Sequence, residues 1–179
     1  MMVETITIAV RPDRTTFVRF ALFDTFVQKR RWARSALFSA ILLAFAIVGA
    51  FVPNRAEAPP LTAVLASVGI GLPAAYFFMY LASVRKKAKA LKLDGRRTVY
   101  TLRLTDAPDG IRVAGTDETA SYQWSGAYGA WRARGCVYLY VTKERAFLLP
   151  DGQATAGAAA LWAFLAARLP DGRAHGRVR

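Results

Sequence analysis

Residues Ser35 to Val52 have the sequence SALFSAILLAFAIVGAFV, and residues Leu61 to Val84 have the sequence LTAVLASVGIGLPAAYFFMYLASV. Neither run contains a charged residue, and only the eight residues PNRAEAPP separate them. As helices, the two runs would extend roughly 27 and 36 Å, while the hydrocarbon core of a bilayer is about 30 Å thick. The pattern therefore predicts a transmembrane helical hairpin over residues 35–84, and the rest of the chain is organised around it.

A soluble helical bundle and a cleavable signal peptide both fit these apolar runs less well. A helix of a soluble bundle keeps a polar face, and neither run has room for one. A cleavable signal peptide begins near the N-terminus, whereas the first run here starts after more than thirty residues and a second run follows it.

The net charge of +13 is concentrated beside the two apolar runs. Basic residues close to a membrane span stay on the cytoplasmic side, and the short turn between the runs is neutral because Arg55 and Glu57 cancel. We therefore expect a multi-pass protein of the cell (inner) membrane with both termini in the cytoplasm. The basic residues that we expect to contact anionic lipid headgroups are Lys29, Arg30, Arg31, Arg34, Arg85, Lys86, Lys87 and Lys89. The alternative interpretation is that these residues only determine the orientation of the spans in the membrane and bind no particular lipid.

Small residues recur at four-residue spacing in both apolar runs. Such stripes allow two helices to approach closely in a bilayer, although alanine is also simply abundant in this chain. The positions that we expect at the contact are Ala36, Ala40 and Ala44 in the first run and Ala63, Ser67, Gly71 and Ala75 in the second. Pro73 is expected to kink the second helix.

The segments outside the hairpin predict a small α+β domain. Short alternating runs between Val99 and Leu149 predict successive antiparallel strands, including one over Gly126–Trp131, and Thr155 to Leu169 predicts a closing helix. The expected organisation is an N-terminal strand and amphipathic helix (1–34), the hairpin (35–52 and 61–84), a basic helical extension (85–97), a sheet domain capped by a helix (98–170) and a disordered tail (171–179).

The N-terminal segment contains one alternating strand, Thr5 to Val10, and a helix that Asp13 caps and that runs to about Gln28. A lone strand leaves its backbone groups unpaired. We therefore expect it to pair with the C-terminal sheet, because a hairpin returns the chain to the same membrane face; a loose N-terminal arm is the competing interpretation. The helix could lie along the bilayer surface or pack on the sheet domain.

The residue types present argue against catalysis. Cys136 is the only cysteine and His175 the only histidine, so we expect no disulfide, no metal site and no Ser–His or Cys–His pair. We expect Cys136 to be a buried thiol. Four aromatic residues of the strand region are expected to be core residues rather than a stacking platform: Tyr122, Trp124, Tyr128 and Trp131. No recognition motif for nucleic acid is present in the soluble part, and we expect no cofactor.

The order of two apolar spans, a basic exit and several strand motifs before a terminal helix resembles the YcxB-like protein family. The strand motifs are Asp109-Gly110-Ile111, the YQWSGAY of Tyr122–Tyr128, the VYLYV of Val137–Val141 and the AFLLP of Ala146–Pro150. The resemblance implies two membrane spans followed by a cytoplasmic domain similar to pleckstrin-homology-like sheets. Within the family pattern, basic residues usually follow the Leu149-Pro150 pair, whereas this chain has Asp151, Gly152 and Gln153. This departure weakens an anion-binding role for that turn.

Two functions remain open from the sequence. The first is a membrane-anchored interaction or regulatory module that binds a protein, a lipid headgroup or a second copy of itself, without catalytic activity. The alternative is a subunit of a membrane enzyme or transporter complex.

Overall fold

The computed structural model describes residues 5–29, 32–51, 58–93, 96–115 and 119–177. Within these ranges the protein is α+β. The strands are β1 (Ile6–Val10), β2 (Tyr100–Leu104), β3 (Ile111–Gly115), β4 (Thr119–Tyr122), β5 (Gly129–Ala133), β6 (Cys136–Tyr140), β7 (Ala146–Pro150) and β8 (Ala174–Arg177). The α-helices are α1 (Arg14–Leu22), α2 (Trp32–Ala50), α3 (Ala58–Ala90) and α4 (Gly157–Arg168).

The chain divides into two units. The first, here called the sheet unit, comprises the residues up to Phe20 and those from Lys92 onward. The second, the helix unit, comprises Ala21–Leu91. This division differs from the expected boundary at residue 34, because α1 belongs partly to the sheet unit through Phe20.

The first sheet has the antiparallel order β1-β2-β3-β4. Ile8 lies opposite Leu102, and Leu102 lies opposite Val113, so the alternating apolar residues of three strands share one buried face. The expected pairing of the N-terminal strand with the C-terminal domain is confirmed. Its physical cause is the period-2 alternation of ITIAV, which has a buried face only when it is paired in this register.

The second sheet has the order β7-β6-β5-β8, in which β8 runs parallel to β5 and the other pairs are antiparallel. The expectation of a disordered tail after residue 170 is wrong, since Ala174 pairs with Ala130 and His175 with Trp131. The expected strand over Gly126–Trp131 begins only at Gly129, because a turn after Trp124 separates the two sheets.

The hydrophobic core lies between the inner faces of the two sheets and is closed by α4. The buried face of α4 and of the residue after it consists of Leu161, Phe164, Leu165 and Leu169. The expected closing helix is confirmed, although it begins at Gly157 rather than Thr155. The Trp124 indole is buried here, donates to the Thr105 carbonyl at 3.0 Å and contacts Phe164 edge to face.

The N-terminal helix begins as expected at Asp13, whose Oδ1 accepts a hydrogen bond from the Thr16 main-chain N–H at 2.8 Å. A hydrogen bond to the Thr16 side chain, together with this main-chain bond, lowers the pKa of Asp13. After Leu22 the helix continues as one π-helical stretch, Phe23–Gln28, in which the Lys29 N–H donates to the Asp24 carbonyl. The expected extent to Gln28 is therefore confirmed, with a wider last turn than an α-helix has.

The helix unit contains α2 and α3 packed against each other in opposite directions. The groove between them is lined by Ser35 and Ser39 from α2 and by Pro73 and Tyr76 from α3, while Gly49 approaches Thr62 at the other end. The helix from Pro60 to Ala90 is long and apolar enough to cross a membrane, and only 6% of its most apolar window is buried. The apolar part of α2, Ser35–Ala50, is shorter.

The contact between α2 and α3 does not follow the expected stripe of small residues. A Cβ at Gly71 would meet nothing within 4 Å, whereas a Cβ at Gly69 would lie 3.2 Å from Leu43 Cγ. The other stripe positions are exposed or half-buried within the chain: Ala36, Ala40, Ala44, Ala63, Ser67 and Ala75. The reason is helical phase, because residues four apart rotate by about 40° per step away from a contact line.

Candidate functional site

Basic residues cluster at one end of the helix unit. Arg85, Lys86, Lys87 and Lys89 are exposed on the last turns of α3, which runs on to Ala90. Cations at a helix C-terminus interact favourably with the helix dipole. No hydrogen bond or ion pair within the described ranges involves these four side chains, so their charges are available to a surface outside the chain.

The basic residues before α2 are described only in part. Lys29 forms an ion pair with Asp24 at 2.7 Å, and this contact reduces the charge that it presents. Arg30 and Arg31 lie outside the described residues, as does the side chain of Arg34. Since α2 and α3 are antiparallel, Trp32 at the start of α2 and the basic turns of α3 lie toward the same end of the helix unit. The expected contacts with anionic headgroups stay a prediction.

A cluster of aromatic and hydroxyl groups joins the π-helical stretch to α3 at this same end. Tyr80 shares a hydrogen bond with Thr25 through their hydroxyl groups, and its hydroxyl contacts the Ala21 carbonyl at 2.8 Å. The Phe26 ring meets Phe77 at 5.7 Å, and the Trp32 indole donates to the Phe26 carbonyl. Aromatic side chains with a polar tip suit the interface between lipid and water.

An aromatic layer covers the outer face of the second sheet. Tyr138 and Tyr140 of β6 point away from the core and are buried, and Phe20 from α1 meets Tyr138 edge to face at 5.2 Å. Burial raises the pKa of Tyr138 to about 12. Of the two arrangements open for the N-terminal helix, along the bilayer surface or against the sheet domain, its first part therefore adopts the second.

Beyond Phe20 the aromatic layer continues as a stack. The Trp131 ring lies 4.5 Å from the His175 ring and 5.8 Å from the Tyr128 ring, with small interplanar angles. The expectation that the four strand aromatics are core residues therefore holds for Trp124 but not for Tyr128 and Trp131, which lie half-buried on the outer face. Tyr122 is half-buried and packs against the core.

The turn after β7, where the sequence departs from the resembling family, fixes the N-terminal strand. The Gln153 amide accepts from the Arg11 N–H at 2.7 Å and donates to the Arg11 carbonyl at 2.9 Å. Next to it, Ile8 forms a β-bridge with Ala154, and the Thr155 N–H donates to the Thr7 carbonyl. The outer edge of β1 is thus paired with this turn, and that pairing joins the two sheets.

Cys136 begins β6 and is buried, as expected from the sequence. Burial is the main cause that raises the pKa of its thiol to about 12. A thiol that keeps its proton is a poor nucleophile. Among the residues that the structure describes, no group of three or more His, Cys, Asp or Glu side chains is arranged to hold a metal ion.

Comparison with known proteins finds one family. The family model described as YcxB-like protein matches residues 107–162. The match runs from the turn before β3 to the middle of α4 and contains the four strand motifs of the resemblance, so the resemblance is confirmed over this segment. The two apolar spans and the basic residues after them lie outside the match. No curated protein and no solved structure matches the chain.

Proposed function

We propose that the segment matching the YcxB-like family, residues 107–162, is the core of a membrane-anchored interaction or regulatory module. In this proposal the helix unit crosses the inner membrane twice, and the sheet unit stands in the cytoplasm. The partner is a protein, an anionic lipid headgroup or a second copy of the chain. We expect the module to have no catalytic activity.

The exposed apolar surface of the helix unit supports the membrane part of the proposal. Large side chains project outward from both helices, among them Phe38 and Phe45 of α2 and Ile70 and Phe78 of α3, each more than half exposed within the chain. Soluble proteins rarely leave so continuous an apolar surface in water. The hydrocarbon chains of lipids would cover this surface, and no apolar side chain would then be exposed to water.

The distribution of charge supports the orientation. The described basic side chains at the ends of the two helices lie toward one end of the helix unit, and the apolar runs 35–51 and 60–84 contain no charge. Basic residues next to a span are retained in the cytoplasm. Both connections to the sheet unit are therefore expected to leave the membrane on that side.

The order of elements in the sheet unit supports a pleckstrin-homology-like fold. Four antiparallel strands in sequence are followed by three antiparallel strands and a closing helix, which packs on the core between the sheets. We infer that the surface of this unit binds the partner, and the partly exposed stack of Tyr128, Trp131 and His175 is the candidate contact.

One observation carries the regulatory part of the proposal, namely the pairing of β1 with β2. The helix unit is inserted between these two neighbouring strands, so both of its ends continue covalently into one sheet. A partner that shifts β1 against β2 would change the separation of the two connections. The helices would then respond to binding at the sheet unit.

Cysteine labelling in intact cells tests the topology. In a Cys136→Ala background, a single cysteine is placed at Asn54, between the helices, or at Lys143, in the exposed turn between β6 and β7. An impermeant maleimide should label the cysteine at position 54 in intact cells, whereas position 143 should react only after permeabilisation. The reverse pattern would exclude the proposed orientation, and reaction of both positions only after permeabilisation would exclude the two-span topology.

A further inference from the structure

A cavity of about 400 Å³ opens in the sheet unit where the turn between β5 and β6, the turn after β7, α4 and β8 meet. Its volume lies within the range of small-molecule sites, roughly 300–1,000 Å³. Gly135, with φ of 77°, makes the tight turn that forms one wall. The cavity is lined by Arg132, Ala133, Gly135, Asp151, Trp162 and Gly176.

The negative group of this cavity is Asp151. Its Oδ1 atom is buried, and it has no hydrogen-bond partner among the residues that the structure describes. The main-chain N–H of Asp151 donates to the Gly135 carbonyl at 3.1 Å, so the residue is held in position at the cavity wall.

The positive group is Arg132. Its guanidinium lies over the Trp162 ring, with Cζ 5.8 Å from the ring centroid. In this arrangement the Trp162 ring covers one face of the guanidinium, and the N–H groups in the guanidinium plane are still able to donate hydrogen bonds. Over the described ranges Arg132 forms no hydrogen bond and no ion pair, and it lies beyond ion-pair distance of Asp151.

We propose that this cavity binds a small zwitterion in which an acidic group and an ammonium group are a few bonds apart. The acidic group binds the N–H edge of Arg132, and the ammonium pairs with the Asp151 carboxylate. The short carbon linker lies against Trp162. The inference concerns the sheet unit alone and does not depend on the proposed function.

The charge pattern of the cavity selects this class of ligand over simpler ions. An anion alone would bind Arg132 but would be repelled by Asp151, and a cation alone would meet the opposite pair of forces. A neutral molecule would leave two charges unpaired. Only a ligand with both charges satisfies both groups at once. Two sources supply this chemistry: free amino-acid-like or phosphoethanolamine-like solutes, and the headgroup of phosphatidylethanolamine.

Calorimetric titration of the full chain in a non-ionic detergent tests the proposal. The zwitterionic probes are O-phosphoethanolamine and β-alanine, and the single-charge probes are inorganic phosphate and ethanolamine. At least one zwitterion is expected to bind at least ten times more tightly than either single-charge probe. No heat from either zwitterion at 10 mM, or an affinity for both zwitterions no greater than that for the single-charge probes, would overturn the proposal.

Four variants separate the cavity from general effects of charge. Arg132→Met and Asp151→Asn should each weaken zwitterion binding at least tenfold. Arg103→Met on the exposed side of β2 and Glu144→Gln in the turn between β6 and β7 are the matched controls and should bind as the unmodified chain does. Asp151→Asn should also bind inorganic phosphate more tightly than the unmodified chain, a gain that a misfolded variant would not show. Equal losses in the cavity and control variants would overturn the proposal.

A last arm identifies the source of the ligand. The full chain is placed in nanodiscs of phosphatidylglycerol, with or without phosphatidylethanolamine, and is titrated with the tightest soluble zwitterion. If the lipid headgroup is the ligand, phosphatidylethanolamine should reduce the apparent affinity of the probe. If the ligand is a free solute, the affinity should be the same in both nanodiscs. Either result supports the zwitterion site, provided that the cavity variants abolish the binding.

Discussion

Tyr100 joins the two sheets by a single hydroxyl group. The hydroxyl accepts a hydrogen bond from the Leu148 N–H at 2.8 Å and donates to the Leu148 carbonyl at 3.1 Å. Leu148 belongs to β7, the edge strand of the second sheet, whose backbone groups would otherwise lack partners on that side. Burial is the main cause that raises the pKa of Tyr100. The phenol therefore keeps its proton through the physiological range.

Tyr100→Phe is expected to lower the free energy of unfolding of the sheet unit by about 1–3 kcal/mol, because the buried Leu148 N–H and carbonyl lose their partner. Thermal unfolding in detergent and amide exchange at Leu148 measure the effect. Tyr122→Phe is the matched control, since the Tyr122 hydroxyl has no hydrogen-bond partner within the described residues. Equal stability of the two variants would contradict the role given to Tyr100.

The sequence predicts residue roles where the cause is local. The cap at Asp13 depends on residues three apart, and the burial of Cys136 follows from its position at the start of an apolar strand. The two hydrogen bonds between Gln153 and Arg11 join residues that are 142 positions apart, so no pattern in the neighbouring sequence predicts them. Arg132 and Asp151 line the same cavity only because β5, the turn after β7 and α4 come together in the fold, which the sequence does not show either.

At the scale of elements, strand prediction succeeds where side chains alternate and fails where tertiary contacts alone decide. β2, β3, β4, β6 and β7 fall on alternating or apolar runs. β8 has the sequence AHGR, which has no β-branched residue. It is a strand because it pairs with β5 and because His175 stacks on Trp131, and neither contact can be seen in its own sequence.

The contact between α2 and α3 shows a similar limit. The small residues were visible in the sequence, but their spacing alone did not identify the side of each helix that faces the other. Gly69 and Gly49 lie at the contact, and Gly71, two residues from Gly69, lies outside it.

Gly69→Leu is therefore expected to lower the stability of the helix unit, because its Cβ would lie 3.2 Å from Leu43 and the rest of the side chain would push the helices apart. Overpacking of this kind costs typically about 1–3 kcal/mol. The melting temperature in detergent measures the loss. Gly71→Leu introduces the same side chain into open space and should change stability much less. A larger loss for Gly71→Leu would show that the packed side of α3 is assigned wrongly.

At the scale of the whole molecule, one sheet unit is interrupted by one helix unit. β1 and β2 are neighbours in the first sheet although about ninety residues separate the two strands in the sequence. The sequence predicts this arrangement because an alternating strand needs a partner and a helical hairpin returns the chain to its starting side. The sequence predicts one antiparallel sheet, whereas the described part of the chain forms two, since the break between β4 and β5 lies at an ordinary turn.

The arrangement predicts that the helix unit alone holds the protein in the membrane. In the comparison variant, a flexible linker replaces Ala21–Leu91. A linker of about 20 residues spans roughly 25 Å on average, which lets β1 reach β2 without the helices. The sheet unit should then fold as a soluble protein with β1 still paired.

Alkaline carbonate extraction of membranes from cells that produce either protein is the most direct test. The full chain should remain in the membrane pellet after extraction if, as proposed, lipid surrounds its apolar helices. The linker variant should appear in the soluble fraction. Release of the full chain by carbonate, or retention of the linker variant in the pellet, would contradict the assignment of the helix unit as the membrane-spanning part.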